Sequence, residues 1–273
     1  DVYEWHVSFH YEETEANAHP EQPPPNDNDD DDAVHYLRID EFTVRLFAPA
    51  QASEFVILKS LDHPNIVKVW DVFEDFRHLH ICMELCEGGE VFDAVLEAGR
   101  FAESQAVICA KQICSGMQYM HRRGLVHRDL RLENLMFLDV HSRTLAQNTI
   151  KIIDLGLAKP VPHEATEFFT TKVGSPHYSA PEMLKGKYRE ECDVWSFGVI
   201  CYIFLAGRPP FDSETDIGVM QRVRDGNYAF DGEEWADVSD RARDFISHCL
   251  VVDRSKRATA FEALEHAWLK EGA

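Results

Sequence analysis

Asp129 and Asn134 lie five residues apart in the run His127-Arg128-Asp129-Leu130-Arg131-Leu132-Glu133-Asn134, close enough on one loop to face one site. A carboxylate placed there can accept the proton of a hydroxyl group, and an amide oxygen beside it can hold a hard cation such as Mg²⁺. Farther on, Asp154 opens the triplet Asp154-Leu155-Gly156, a carboxylate at the end of an apolar strand followed by a glycine hinge, and so a natural second oxygen ligand. Ala180-Pro181-Glu182 and Asp193-Val194-Trp195-Ser196-Phe197-Gly198 follow in order. The histidines show neither His-Glu-x-x-His nor Cys/His ligand spacing, and no zinc site is assigned.

The elements that must position these residues are read from periodicity. A long amphipathic helix over Glu103–Arg123 leads into the run, and the apolar strand Leu135–Leu138 leads out of it. A second strand, Lys151–Asp154, delivers Asp154. Helical spacing also covers Val91–Leu96, Cys192–Ala206, Asp216–Asp225, Asp240–Val251 and Ala260–Leu269. Val194–Ala206 is the most apolar stretch, but it falls short of the ~20 residues of a membrane span and is expected to be a buried helix. The N-terminal part reads differently. Val2–Tyr11, Val34–Ile39 and Phe42–Phe47 have strand composition, and Ile66–Phe73 with His78–Leu85 reads as a hairpin. A short helix over Ala50–Leu61 stops at Asp62-His63-Pro64-Asn65, because proline pushes the preceding residue out of helical geometry. The acidic, proline-rich segment 12–32 buries too little apolar surface to offset its ordering entropy and is expected to be a disordered loop. The expectation is an α+β chain, with a strand-rich part over residues 1–85 and a helical part over 86–273.

In this order and spacing, the motifs resemble the eukaryotic protein kinase family over about Val34 to Leu269. Leu61-Asp62-His63-Pro64-Asn65-Ile66-Val67, Met83-Glu84-Leu85-Cys86-Glu87-Gly88-Gly89-Glu90 and Ser255-Lys256-Arg257 are similar to the calcium-dependent protein kinases of plants and protists. The resemblance implies a bilobal fold, a small antiparallel-sheet lobe with one short helix and a large helical lobe. It also implies transfer of the ATP γ-phosphate, with Mg²⁺, to protein hydroxyls. Asp129 would orient and deprotonate the hydroxyl, Asn134 and Asp154 would hold the metal, and Arg131 would neutralise charge on the moving phosphoryl group. Met83 would gate the adenine slot, the backbone of Glu84–Cys86 would hydrogen-bond adenine, and Met136 would form the floor. Glu90 matches a ribose-contacting acid, and with Glu133 it can receive a basic substrate side chain; a solvated glutamate is the competing reading. Asp193 would anchor the loop, and Glu182 would pair with Arg257 inside the helical lobe. Thr171 matches the usual phosphorylation position, with Arg128 as the phosphate clamp; Thr170 and Thr166 are neighbouring candidates. Relatives of this kind carry an inhibitory helix and EF-hands after the kinase domain. Neither lies within the chain, so calcium control is expected outside it. Arg131 departs from the lysine usual in serine/threonine members, whereas Glu133-Asn134 and Gly174-Ser175-Pro176-His177-Tyr178 follow the serine/threonine pattern, which is favoured.

The strand-rich part departs from that family. No glycine precedes Gly88, so a glycine-rich phosphate loop cannot form. The acidic segment stands in its place, and each carboxylate close to a triphosphate would repel it by roughly 1 kcal/mol in water. No lysine precedes Lys59; Arg45 aligns with the strand-three lysine, keeping the charge but not the point geometry. Glu54 matches its helical partner, at a spacing too short for a full helix. A weak or atypical kinase is therefore weighed against a catalytically inactive pseudokinase that binds other proteins, including a regulated partner.

Composition narrows the partners. The 48 acidic and 27 basic residues give a net charge of −21, which disfavours nucleic acid and favours basic peptide segments. Seven cysteines without a Cys-x-x-Cys pair suit reduced thiols and a cytoplasmic setting. No leader signal is read, and the opening Asp1 suggests a piece of a longer protein.

Overall fold

A computed structural model describes residues 42–46, 58–74, 79–142, 145–162, 164 and 166–271. Val2–Tyr11, segment 12–32, Val34–Ile39 and Glu54 lie outside these residues, as does all but the end of the helix expected over Ala50–Leu61. The chain divides into two compact units, one holding residues 69–85 with the described residues up to Lys59, the other holding 60–68 and everything from Cys86 onward.

In the first unit β1 (Phe42–Leu46), β2 (Val69–Glu74) and β3 (Leu79–Met83) form an antiparallel sheet of order β1-β3-β2. Phe42 and Val69 both pair with Met83, and Arg45 lies opposite His80. β2 begins later than its β-branched composition suggests. Residues 60–68 belong instead to the other unit, where Ile66 bridges Ile152 in parallel and the Val67 N–H donates to the Ile152 carbonyl at 2.9 Å. Asn65 secures that departure: its side-chain amide donates to Gln112 at 2.9 Å and to the Ile150 carbonyl at 3.0 Å.

The second unit opens with α1 (Val91–Ala98) and α2 (Glu103–Arg122), followed by short strands β4 (Leu125–Val126), β5 (Leu135–Phe137), β6 (Ile150–Ile152) and β7 (Lys159–Pro160). β4 pairs with β7 and β5 with β6. Then come α3 (Pro181–Leu184), α4 (Glu191–Ala206), α5 (Asp216–Asp225), α6 (Asp240–Cys249), α7 (Ala260–Glu265) and α8 (Ala267–Glu271). Every residue of α4 from Cys192 to Leu205 is buried, as an all-round apolar helix must be when other helices surround it. No described helix is long and apolar enough to cross a membrane. Thr215 and Ser239 cap α5 and α6, and Thr259 with Glu262 forms a capping box on α7, each satisfying N–H groups the helix leaves open. The helix expected over Ala260–Leu269 is two helices. His266 takes an extended backbone, its Nδ1 accepting the Trp268 N–H at 3.2 Å and its Nε2 bonded to Asp244 at 3.1 Å.

Candidate active site

The site is built from the loop between β4 and β5. Asp193, in the first turn of α4 and 1% exposed, reaches back to that loop. Its carboxylate accepts the backbone N–H groups of His127 and Arg128, both at 2.8 Å, and bonds His121 Nε2 at 2.8 Å. Burial works to raise the Asp193 carboxyl, but His121, the nearby His127 and the backbone donors outweigh it and hold the group below its ordinary value. With two donors fixed, Arg128 tolerates a left-handed backbone at φ 68°, a conformation costly for a residue with a side chain. The turn brings His127 beneath the loop. Its Nδ1 accepts the Asp129 N–H at 3.3 Å, so Nε2 carries the proton and donates to the Ile153 carbonyl at 3.3 Å.

Asp129 and Asn134 meet directly. The Asn134 side-chain amide donates to the Asp129 carbonyl at 2.8 Å and to its carboxylate at 3.1 Å. Both partners are acceptors, which fixes the amide orientation and leaves the Asn134 oxygen free of these bonds. Asp154 adopts the left-handed region at φ 51°, and one of its oxygens accepts the Gly156 N–H at 3.2 Å. Burial raises the Asp129 carboxyl above its ordinary value and the charge of Asp154 adds to this, against the pull of His127, Arg131 and Asn134. Two carboxylates and an amide oxygen close enough to perturb one another suit a hard divalent cation, with Asn134 and Asp154 supplying oxygen donors.

Around this centre, Arg131 bonds Glu133 at 2.5 Å and lies 5.9 Å from the Tyr178 ring centre. The Glu133 bond raises the guanidinium pKa. On Glu133 itself burial pushes upward, and Arg131 prevails to leave it below its ordinary value. Glu90 is half-buried and bridges Met136; burial raises its carboxyl, helped by Asp93 and Glu133. The backbone before it is tightly held, with the Gly88 N–H donating to the Phe137 carbonyl at 2.9 Å and a Cβ on Gly88 falling 2.6 Å from that of Phe137. Gly174, at φ 87°, passes over the catalytic loop, where a side chain would meet Asp129 Oδ1 at 3.3 Å. Glu182 and Arg257 form the expected ion pair, with two bonds of 2.5 and 2.9 Å.

The remaining expected residues divide between the units. Half-buried Met83 and Glu84 fall in the strand unit, with β1 carrying Arg45; buried Cys86 and half-buried Met136 fall in the helical unit. Thr166, Thr170 and Thr171 are all exposed. Arg128 is occupied: Nε donates to the Leu157 carbonyl at 2.6 Å, Nη1 to the Tyr188 hydroxyl at 3.4 Å, and the guanidinium lies 5.0 Å from the Phe169 ring centre. Two supports of the site escaped sequence reasoning. His121 completes the Asp193 carboxylate, and the Tyr188 hydroxyl bonds both Arg128 and, at 2.8 Å, the Thr171 carbonyl. The only hint of the first was a histidine in the last turn of a helix, where basic groups are favoured.

The profile of the protein kinase domain matches residues 42–269. Calcium-dependent protein kinase 3 of Plasmodium yoelii yoelii is 44% identical over 223 residues, 82% of this chain and 40% of that protein. Calcium-dependent protein kinase 5 of Plasmodium falciparum (isolate 3D7) is 40% identical over 218 residues, 80% of this chain and 37% of that protein. The chain thus spans about two fifths of the length of the curated relatives it matches. With the loop, its buried anchor and this extent of likeness together, the chain belongs to the protein kinase family, and over this domain it is similar to calcium-dependent protein kinases.

Proposed function

We propose that the chain is the catalytic domain of a serine/threonine protein kinase that transfers the ATP γ-phosphate to hydroxyls in basic segments of cytoplasmic proteins, slowly for its family. The observation that carries this reading is the held set of Asp129, Asn134 and Asp154, with Asp129 bonded to Asn134 at 3.1 Å. Asp129 accepts the hydroxyl proton as the oxygen attacks phosphorus, and the β–γ bridging oxygen leaves with the nucleoside diphosphate. Arg131 offsets charge on the moving group. Mg²⁺ held by Asn134 and Asp154 would neutralise the phosphates. Met83, Glu84, Cys86 and Met136 bind adenine, Glu90 contacts ribose and, with Glu133, a basic substrate residue. In the strand unit Arg45 replaces the lysine that ordinarily grips the phosphates, and Glu54 matches that lysine's partner in sequence.

A second reading, a pseudokinase that binds and regulates another protein, is favoured by one observation: neither a glycine before Gly88 nor a lysine before Lys59 exists to grip a triphosphate. Thermal unfolding with ATP, with and without Mg²⁺ or Mn²⁺, separates the two. Nucleotide at 100 times its Kd stabilises a fold by ~2.7 kcal/mol. A shift in melting temperature, with transfer to a basic peptide that disappears in Asp129→Asn, is the expected result. No shift at millimolar nucleotide overturns the catalytic reading.

A further inference from the structure

Away from the active site, one carboxylate of the helical unit stands between two imidazoles. Asp244 and His248 lie one turn apart on α6, and His266 occupies the break between α7 and α8. Asp244 Oδ2 is 3.1 Å from His266 Nε2, and Asp244 Oδ1 is 3.5 Å from His248 Nδ1. The two imidazole centres are 5.4 Å apart, and one ligand atom from each residue falls within 4.8 Å of the other two. The contact to His248 is longer than an ordinary hydrogen bond, and the Nδ1 proton goes instead to the Asp244 carbonyl at 2.8 Å. Tetrahedral Zn²⁺, with ligands at ~2.0–2.2 Å, sets its ligand atoms about 3.3–3.6 Å apart. The observed separations lie close to that edge length.

The surroundings hold this group ready. Buried Phe245, next to Asp244 on α6, packs against the His266 ring at a centre distance of 5.1 Å. Buried Trp268 steadies the same ring: its backbone N–H donates to His266 Nδ1 at 3.2 Å, and its indole Nε1 donates to Glu103 at 3.0 Å. Glu265 is committed to Lys270. Three ligands thus come from the chain, which leaves a fourth position for water. Local spacing could not reveal the set, because His266 lies 22 residues from Asp244 and reaches it only through the break before α8.

We propose that Asp244, His248 and His266 form a Zn²⁺ site that fastens the start of α8 to α6. Two imidazoles with one carboxylate suit Zn²⁺, whereas Mg²⁺ takes oxygen ligands. Protons move only within the rings. The His266 proton passes from Nε2 to Nδ1 and the His248 proton from Nδ1 to Nε2, and each nitrogen so freed gives its lone pair to the metal. The Trp268 N–H loses its acceptor, which lowers the affinity by up to about tenfold. The assignment is independent of whether the chain transfers phosphate.

The test titrates the whole chain with Zn²⁺ against a chromophoric chelator, in the presence of millimolar Mg²⁺. One Zn²⁺ is expected to bind at micromolar concentration. Exposed His248 can be replaced without disturbing the Asp244–His266 bond, so His248→Gln should keep the wild-type melting temperature of the free protein. Its affinity for Zn²⁺ should fall by ~100-fold or more, since even an outer-shell partner is worth 10–100-fold. Nitrogen NMR of histidine-labelled protein is the second arm: Zn²⁺ should convert His266 Nδ1 from an acceptor to an N–H and shift the Trp268 amide. Equal affinity in His248→Gln, displacement by Mg²⁺, or an unmoved His266 resonance at saturating Zn²⁺ overturns the proposal, as does failure to bind at all.

Discussion

The charges beneath the loop in the helical unit and the Lys59–Asp71 pair of the strand unit are held in opposite ways. In the helical unit the polar groups that shape the catalytic loop are dry: Asp193 is 1% exposed, and the paired side chains of Arg257 and Glu182 are 0% and 9% exposed. In the strand unit, Lys59 and Asp71 pair at 2.6 Å with both side chains more than two-fifths in water. A buried ion holds its partners because letting go leaves a charge without solvent; an exposed one has water as a substitute. The residues proposed for proton transfer and metal holding therefore sit where the fold over-determines them. Arg45, proposed to grip phosphate, sits in the other unit, in a sequence with no glycine before Gly88.

The severest way to break this contrast is Asp193→Ala. It strips two backbone N–H groups and His121 of their acceptor and leaves Arg128 in a strained conformation with nothing to hold it. Removing one member of a buried charged cluster costs ~3–5 kcal/mol. For a chain this size that corresponds to a melting temperature lower by about 10 °C, measured by scanning calorimetry, together with complete loss of phosphotransfer. The Asp193 carboxyl lies below its ordinary value in the fold, so its contribution is full above the unfolded pKa and declines as pH falls through the folded one. The gap between wild type and variant should accordingly narrow in acid. A gap that is small at pH 7 would show that the loop is not held from α4.

Arg45→Lys sharpens the contrast from the other side. It restores a compact charge in β1 without supplying glycines. Nucleotide affinity, read by thermal shift or calorimetry, is expected to rise by up to tenfold, ~1.4 kcal/mol, with the melting temperature of the free protein unchanged. No gain in affinity would place the deficit in the missing glycines rather than at Arg45.

What the sequence made legible follows the same division. Asp129, Asn134 and Asp154 could be proposed because local spacing on a loop and a strand end suggests their chemistry, and the antiparallel strands could be read from composition. Glu182 and Arg257, 75 residues apart, were reachable only through family likeness. His121, Tyr188 and the break at His266 were not legible at all. Each depends on a partner distant in sequence: Asp193, Thr171 and Arg128, and Asp244. Residues 66–68 have strand composition, but the pull of Asn65 toward Gln112 and Ile150 overrides it.

Lys59→Ala is the mildest test. Its bond to Asp71, at 2.6 Å, is shorter than any of the three that Asp193 accepts, and length alone would rank it first. Exposure reverses the ranking. Lys59 and the Val72 N–H draw the Asp71 carboxyl below its ordinary value, so the pair favours the fold only above that value and loses its effect as pH falls. Water replaces the ammonium as soon as it is removed, and salt screens what remains. Thermal unfolding of Lys59→Ala should be indistinguishable from wild type at physiological ionic strength, with a difference emerging only at low salt near neutral pH. A large, salt-insensitive loss would mean that this pair is held as rigidly as those of the helical unit, and the distinction between the two units would fail.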